Sequence, residues 1–137
     1  MKRTWNRAAA AALLALLAAC AAPPAQVLTP VGPRAQVTWT EEELGQDLAA
    51  RTLWERGNDR GVLIRLRGKE EPHEHPEHGL LVCMLSGLGE IHYGERSYVM
   101  RAGDVIEIPR GVSHWAENTH PAGSVAYVVF LAEPAEQ

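Results

Sequence analysis

The sequence predicts an all-β domain, a small antiparallel barrel or sandwich with one short helix in front of it. Short apolar segments recur roughly every ten residues, which is typical of such folds. Gly or Pro separates most of these segments, as strand-connecting turns require. The chain has 137 residues, a length that suits one domain.

The helix is predicted at the start of this domain. Thr40 and Glu43 have the spacing of a capping box, in which a hydroxyl and a carboxylate three residues later bind the free amides of the first turn. Leu44 and Leu48 then share one face at i, i+4. We therefore expect a short helix from Thr40 to about Ala50.

The predicted strands follow the helix. They lie at 53–56, 62–66, 80–85, 91–93, 97–100, 105–108 and 125–130. The turn residues at 57–59 make the first two a strand pair, and those at 94–96 make 91–100 a hairpin.

The first nineteen residues have the layout of a secretory signal. Lys2, Arg3 and Arg7 precede an uncharged Ala/Leu run at 8–19, which is too short and too poorly flanked for a membrane-spanning helix. We expect this segment to be absent from the mature protein.

The end of the signal, Leu-Ala-Ala-Cys at 17–20, resembles the lipobox of bacterial lipoproteins. That resemblance implies cleavage before Cys20 and acylation of this cysteine; an ordinary signal peptide with a chance cysteine is the alternative. Ala21 stands where an aspartate would suggest retention in the inner membrane. We therefore expect an exported protein, anchored by lipid on the periplasmic side of the outer membrane.

Residues 20–38 are rich in Pro and Ala, a composition that disfavours helix and sheet, and we interpret them as a tether. The folded domain is then 39–137. After the signal is removed, ten Lys and Arg remain against seventeen Asp and Glu, a net charge of −7. This balance argues against nucleic acid as a partner. Besides the anchor only Cys83 remains, so packing or metal must stabilise the domain.

A histidine-rich segment, PHEHPEHGLL at 72–81, is the first candidate site. Along an extended strand His73 and His75 project from the same face, so their imidazoles can bind one metal ion. A solvated loop can carry the same residues, and the segment alone does not decide between the two interpretations.

A second segment lies about thirty residues downstream. Gly103, Pro109, Gly111, His114 and Asn118 have the spacing of the second motif of the cupin family at every defined position. In the first cupin motif the pair His73-x-His75 fits, as does the closing glycine at position 87. The opening glycine is displaced, because it falls on position 67, which is Arg.

The two motifs together resemble the cupin family. The resemblance implies a jelly-roll type antiparallel β-barrel that holds one divalent metal ion through His73, His75 and His114. Position 80, where the family has a glutamate ligand, is Leu.

The missing carboxylate leaves three alternatives open. The centre can consist of three histidines, as in some cupin-type dioxygenases; His78 can supply a fourth ligand; or the metal has been lost and the barrel serves as a binding scaffold. The ion can be Fe, Mn, Zn, Ni or Cu. An all-nitrogen site is more positive than one with a carboxylate, which favours an anionic chelating ligand.

The pocket beside the metal is predicted to be mainly apolar. Its predicted lining is Leu80, Val82, Met84, Tyr98 and Met100. Trp115 is expected to pack in the core or line the mouth of the barrel, and His92 to be exposed.

Two functions fit this pattern. One is a metal-dependent oxygenase, isomerase or lyase for a small chelating anion. The other is a non-catalytic module that senses or carries a metal or small ligand. The expected partners are a small molecule and the membrane, and a homodimer is left open.

Overall fold

A computed structural model describes residues 26–29, 32–34 and 38–132. The predicted signal peptide, Cys20 and most of the predicted tether lie outside the described residues. The elements are β1 (Val27–Thr29), β2 (Gly32–Arg34), α1 (Glu41–Gly45), β3 (Leu48–Arg56), β4 (Asp59–Leu66), β5 (His78–Ser86), β6 (Leu88–Tyr93), β7 (Arg96–Arg101), β8 (Val105–Ile108), β9 (His114–Asn118) and β10 (Ser124–Ala132). No helix among the described residues is long and apolar enough to cross a membrane.

The strands form two larger sheets and one small hairpin. The five-stranded sheet has the order β3-β4-β10-β5-β8, and the three-stranded sheet has the order β7-β6-β9. All the strand pairs are antiparallel. The predicted all-β antiparallel architecture is therefore confirmed.

The two larger sheets pack face to face over one apolar core. Both sheets contribute to it: Val62, Leu80, Met84, Ile91, Met100, Ile108, Val128 and Phe130. Alternate residues of each strand point inwards, so the inner faces bury these side chains and the outer faces carry the polar ones. The candidate site lies at one end of this core.

The helix is shorter than the sequence predicts. The capping box between Thr40 and Glu43 is present, but α1 ends at Gly45, and Gln46 already has an extended backbone. Leu48 opens β3, where Ala49 is buried and pairs with Arg65 of β4. The i, i+4 spacing of the two leucines was ambiguous, because residues four apart also share a strand face.

The N-terminal hairpin of β1 and β2 lies where the composition predicts an irregular tether. Val27 pairs with Arg34, and Thr29 with Gly32. A short hairpin tolerates a proline such as Pro33, because each of its two strands has an outer edge with no neighbouring strand. A missing amide on that edge leaves no backbone carbonyl without its hydrogen bond.

Candidate metal centre

The loop before β5 runs beside β9 and brings the two sequence motifs together. Lys69 pairs with Glu117, and His73 pairs with His114. The His73 and His114 backbones exchange two hydrogen bonds, with N–O distances of 3.0 and 2.8 Å. Two residues separated by forty positions in sequence thus become direct neighbours.

The third histidine is fixed by the second motif as well. The amide of Gly111 donates to the carbonyl of His75 over 3.0 Å. Gly111 has a φ of 72°, a left-handed conformation that glycine adopts without strain, and it turns the chain towards β9. The spacing of this motif therefore positions His75 and His114 at once.

The three imidazoles converge as the resemblance implies. One ring nitrogen from each of His73, His75 and His114 lies within 4.8 Å of the others. Their ring centroids are 4.5–5.2 Å apart. Small ring rotations would place the three nitrogens about 2.0–2.1 Å from one metal ion, which is the bond length between zinc and a histidine nitrogen.

Hydrogen bonds orient two of the rings. Nδ1 of His73 lies 2.9 Å from the carbonyl oxygen of Glu71, and Nδ1 of His114 lies 2.9 Å from that of Val112. A carbonyl only accepts, so each Nδ1 carries the proton and donates it. Each Nε2 is then left with a free lone pair, the form in which histidine binds metals.

Burial favours the neutral form of His75 and His114. Burial, with the neighbouring charges of His114 and His73 next in importance, lowers the pKa of His75 to about 4. Burial also lowers the pKa of His114, although the hydrogen bond to Val112 partly opposes this shift. The cluster therefore offers unprotonated nitrogen at neutral pH.

A cavity of about 250 Å³ opens beside the histidines. Four of the predicted pocket residues line it: Leu80, Val82, Met84 and Met100. Tyr98 is not among the lining residues, and this part of the prediction is wrong. Its strand, β7, is the edge of the three-stranded sheet, so the Tyr98 ring is 41% exposed and lies beside Tyr93.

His78 does not join the three histidines among the described residues. Its Nε2 lies 2.8 Å from the carbonyl oxygen of Asn58, to which it donates. The side chain lines a separate polar pocket of about 240 Å³ together with Asp59 and Glu77. The proposal that His78 replaces the missing carboxylate is not supported, because this hydrogen bond holds its ring away from the cluster.

Two charged residues near the centre were missed from the sequence. Glu70 lines the cavity, and its Oε2 accepts a hydrogen bond from the amide of Ala116 over 3.0 Å. Arg60 lies with its guanidinium 4.2 Å from the ring centre of Phe130, which in turn contacts His75. Arg60 lies outside the family motifs and Glu70 occupies an undefined position of the first one, so only the register of the strands and the loop beside β9 places them here.

Strand β9 was also missed, together with the position of Trp115. On β9, His114 and Ala116 face inwards, whereas Trp115 faces outwards and stacks on His92 at 3.7 Å. Trp115 is therefore not a core residue, and His92 is half-buried. The sequence His-Trp-Ala-Glu-Asn at 114–118 has no strict apolar–polar alternation, so hydrophobic periodicity gives no signal for this strand.

Comparisons with known proteins agree with this architecture. A family model described as a cupin domain matches residues 62–130. A protein from Aquifex aeolicus, described as uncharacterized, is 35% identical over 57 residues, which are 42% of this chain and 47% of that protein. This chain thus spans about half the length of the curated relative it matches.

Several solved structures share the fold. A conserved protein of unknown function from Streptococcus pyogenes is 26% identical, with a TM-score of 0.58 over 74% of this chain and 91% of that one. The cupin domain of Schizosaccharomyces pombe Cnp3 is 15% identical, with a TM-score of 0.61 over 81% of this chain and 87% of that one. A cupin-2 domain protein from Shewanella frigidimarina is 20% identical, with a TM-score of 0.56 over 68% and 86%.

Proposed function

Because the chain belongs to the cupin family, we propose that it is a metal-dependent enzyme that acts on a small chelating anion. The observation that carries this proposal is the convergence of His73, His75 and His114 beside a cavity large enough for a small molecule. A divalent ion bound there would supply Lewis acidity or oxygen activation.

The donor set supports a three-histidine centre. His73 and His114 present Nε2. The lowered pKa values of His75 and His114 keep these two rings unprotonated at neutral pH. Position 80 contributes an apolar side chain, which is buried and lines the same cavity. A fourth position is thereby left for a ligand from outside the protein.

The charge near the site supports an anionic ligand. Three neutral imidazoles leave the full charge of a divalent ion uncompensated, and the guanidinium of Arg60 lies one aromatic ring away from His75. A carboxylate that binds the ion through one or two oxygens would balance the charge of the ion, and the nearby charge of Arg60 would add to its attraction.

The cavity favours oxygen chemistry over acid–base chemistry. Most of its lining is apolar, which excludes water from a reactive species. Glu70 is the candidate proton carrier, and one of its oxygens is already held by the amide of Ala116. We assign Glu70 the task of taking a proton from the ligand as it binds, through the oxygen that this bond leaves free.

A second candidate function is that of a metal or small-ligand carrier. It is favoured by the small number of polar groups in the cavity beyond the three histidines and Glu70. Such a module would bind the same ligands without converting them.

The first experiment tests the centre itself. Metal content is measured for the purified protein, for the triple alanine variant of His73, His75 and His114, and for His120→Ala as a control. His120 lies in a surface turn, where its ring accepts from the amide of Ala122. We expect the triple variant to lose one ion per chain and the control to lose none. Equal metal content in all three proteins would contradict the assignment.

The second experiment separates the enzyme from the carrier. Oxygen uptake by the Fe²⁺-loaded protein is followed with a panel of 2-oxo acids, 2-hydroxy acids, diketones and thiols. Uptake that requires His114 supports the enzyme. Binding of a panel member without uptake or conversion supports the carrier.

We also propose that the mature protein is exported and attached to a membrane through acylated Cys20. The support is the charged, then apolar layout of 1–19 and the Leu-Ala-Ala-Cys sequence at its end. Mass spectrometry should find acyl chains on Cys20, and Cys20→Ser should move the protein from the membrane fraction to the soluble one. A membrane-bound Cys20→Ser protein would contradict this proposal.

A further inference from the structure

A second group of metal-binding side chains lies on the outer face of the three-stranded sheet. Glu90 and His92 are two residues apart on β6 and therefore share this face, and Glu117 lies opposite Glu90 on β9. One ligand atom from each lies within 4.8 Å of the others. Glu90 and Glu117 also border the inner cavity, but the group shares no residue with the cluster that holds His114.

His92 is held in a position to coordinate. Its ring stacks on Trp115, the residue paired with it across the strands, with an interplanar angle of 6°. Its Nε2 is buried without a hydrogen-bond partner, although the side chain as a whole is 26% exposed. Nearly all buried polar atoms in native proteins have a partner, so this unpartnered nitrogen is a candidate ligand atom.

The two carboxylates give a separate reason for a cation. Like charges at directly paired positions of adjacent strands are destabilising. Lys69, the neighbour of Glu117 on the other side, is exposed and forms no ion pair with it among the described residues. A cation between Glu90 and Glu117 would remove this repulsion.

The spacing suits a metal ion better than a direct ion pair. Nε2 of His92 lies 3.8 Å from Oε1 of Glu90, which is too long for a hydrogen bond. In a tetrahedral Zn²⁺ site with bonds of about 2.0–2.2 Å, two nitrogen or oxygen ligands lie about 3.3–3.6 Å apart. The observed separation is only slightly longer, so small side-chain rotations would bring His92, Glu90 and Glu117 onto one ion.

We propose that Glu90, His92 and Glu117 form a second divalent cation site, of the nitrogen-and-carboxylate class that Zn²⁺ prefers. The ion joins β6 to β9 on the outside of the barrel. It thereby supports the strand whose inner face carries His114 of the inner cluster.

The test is the number of Zn²⁺ ions bound per chain. The protein is stripped with a chelator and dialysed to equilibrium against Zn²⁺ at neutral pH, and the bound metal is counted. We expect two ions for the wild type, one for the double variant Glu90→Gln/Glu117→Gln, and two for Glu95→Gln, a control in the exposed turn after β6. The triple alanine variant of the inner histidines should keep one ion.

Two results would overturn the proposal: equal numbers of ions on the wild type and on the Glu90→Gln/Glu117→Gln variant, or no ion on the triple alanine variant. Misfolding does not obscure the outcome, because the glutamines keep the shape of the side chains and remove a repulsion. Thermal unfolding of the metal-free proteins checks this point, and we expect the double variant to be at least as stable as the wild type. The result does not depend on the inner centre, whose loss the triple variant reports separately.

Discussion

The inner and outer faces of β9 carry two clusters of opposite character. The inner cluster, His73, His75 and His114, is made of neutral nitrogen beside an apolar cavity. The outer cluster, Glu90, His92 and Glu117, has one nitrogen and two carboxylates on a partly exposed sheet face. Successive residues of a strand point to opposite sides, so one short strand can serve two different electrostatic environments.

The two clusters differ in how strongly an ion bound to each would attract an anionic ligand. Two carboxylates neutralise a divalent ion, and an ion so held has little attraction for an anion. Three imidazoles leave its charge intact, and the cavity beside them admits a ligand. We therefore expect an external ligand to bind at the inner cluster, and an ion at the outer cluster to stabilise the sheet.

The largest effect is expected from removing one inner ligand. His114→Ala should weaken binding of the inner ion on the order of 100-fold or more, since disturbing even the partners of a ligand costs about 10–100-fold. His78→Ala, the matched control, should leave affinity unchanged, because Nε2 of His78 is bound to Asn58. Isothermal titration with Zn²⁺ measures both. A comparable loss in the two variants would show that His78 belongs to the centre.

Leu80→Glu would make the inner cluster resemble the outer one. Position 80 lines the cavity and is only 6% exposed, so an unpaired carboxylate there should destabilise the metal-free protein by roughly 3 kcal/mol. A bound ion should restore stability and bind more tightly than in the wild type, while anionic ligands bind more weakly. Thermal unfolding with and without metal checks this expectation.

Leu80→Gln serves as the uncharged control for this substitution. It introduces a polar group of the same size, and it should destabilise the fold without improving metal affinity. If Leu80→Glu gains no affinity over Leu80→Gln, the side chain at position 80 does not face the ion.

Acid should lower the stability of the metal-free protein between about pH 6.5 and pH 4, through His75. The pKa of His75 is lowered to about 4 in the folded protein, from an ordinary value of 6.5. Between these values the unfolded chain binds a proton that the folded one does not, so stability falls as the pH is lowered from about 6.5 to 4. Below pH 4 this residue makes no further difference.

The acid effect is measured as the loss of melting temperature between pH 7 and pH 4.5 for the stripped protein. His75→Gln cannot take up the proton and should lose less. An equal loss in the two proteins would mean that the acid sensitivity arises elsewhere.

The smallest effect is expected from Trp115→Leu. This change removes the ring on which His92 stacks at 3.7 Å, so the outer ion should bind a few-fold more weakly, while the inner ion is unaffected. Zn²⁺ titration of the variant and the wild type measures the two affinities separately. If only the affinity for the inner ion falls, Trp115 supports the inner cluster and this prediction is wrong.

The fold class could be predicted from local signals, and the three inner histidines from the resemblance to the cupin family. Short apolar segments and turn residues indicate the all-β class. The spacing of the two motifs carries the resemblance, and the resemblance supplies the convergence of His73, His75 and His114, which no local pattern predicts.

The positions of the other residues near the two clusters depend on strand register, which local sequence patterns do not predict. Arg60 reaches Phe130 because β4 pairs with β10, and Glu70 meets Ala116 because a loop lies along β9. Tyr98 has the inward parity of Met100, but its edge strand leaves it exposed. Glu90 and Glu117 are twenty-seven positions apart in sequence, and only the pairing of β6 with β9 reveals that they face each other.

The reciprocal backbone bonds between His73 and His114 have a consequence for the exchange of the inner ion. These bonds hold the two imidazoles side by side whether or not a metal is present. An ion entering the site therefore meets ligands that are already ordered, and little conformational freedom is lost on binding. We therefore expect that an ion bound here can leave and be replaced in the folded state, and that the ions available around the protein contribute to which metal it holds.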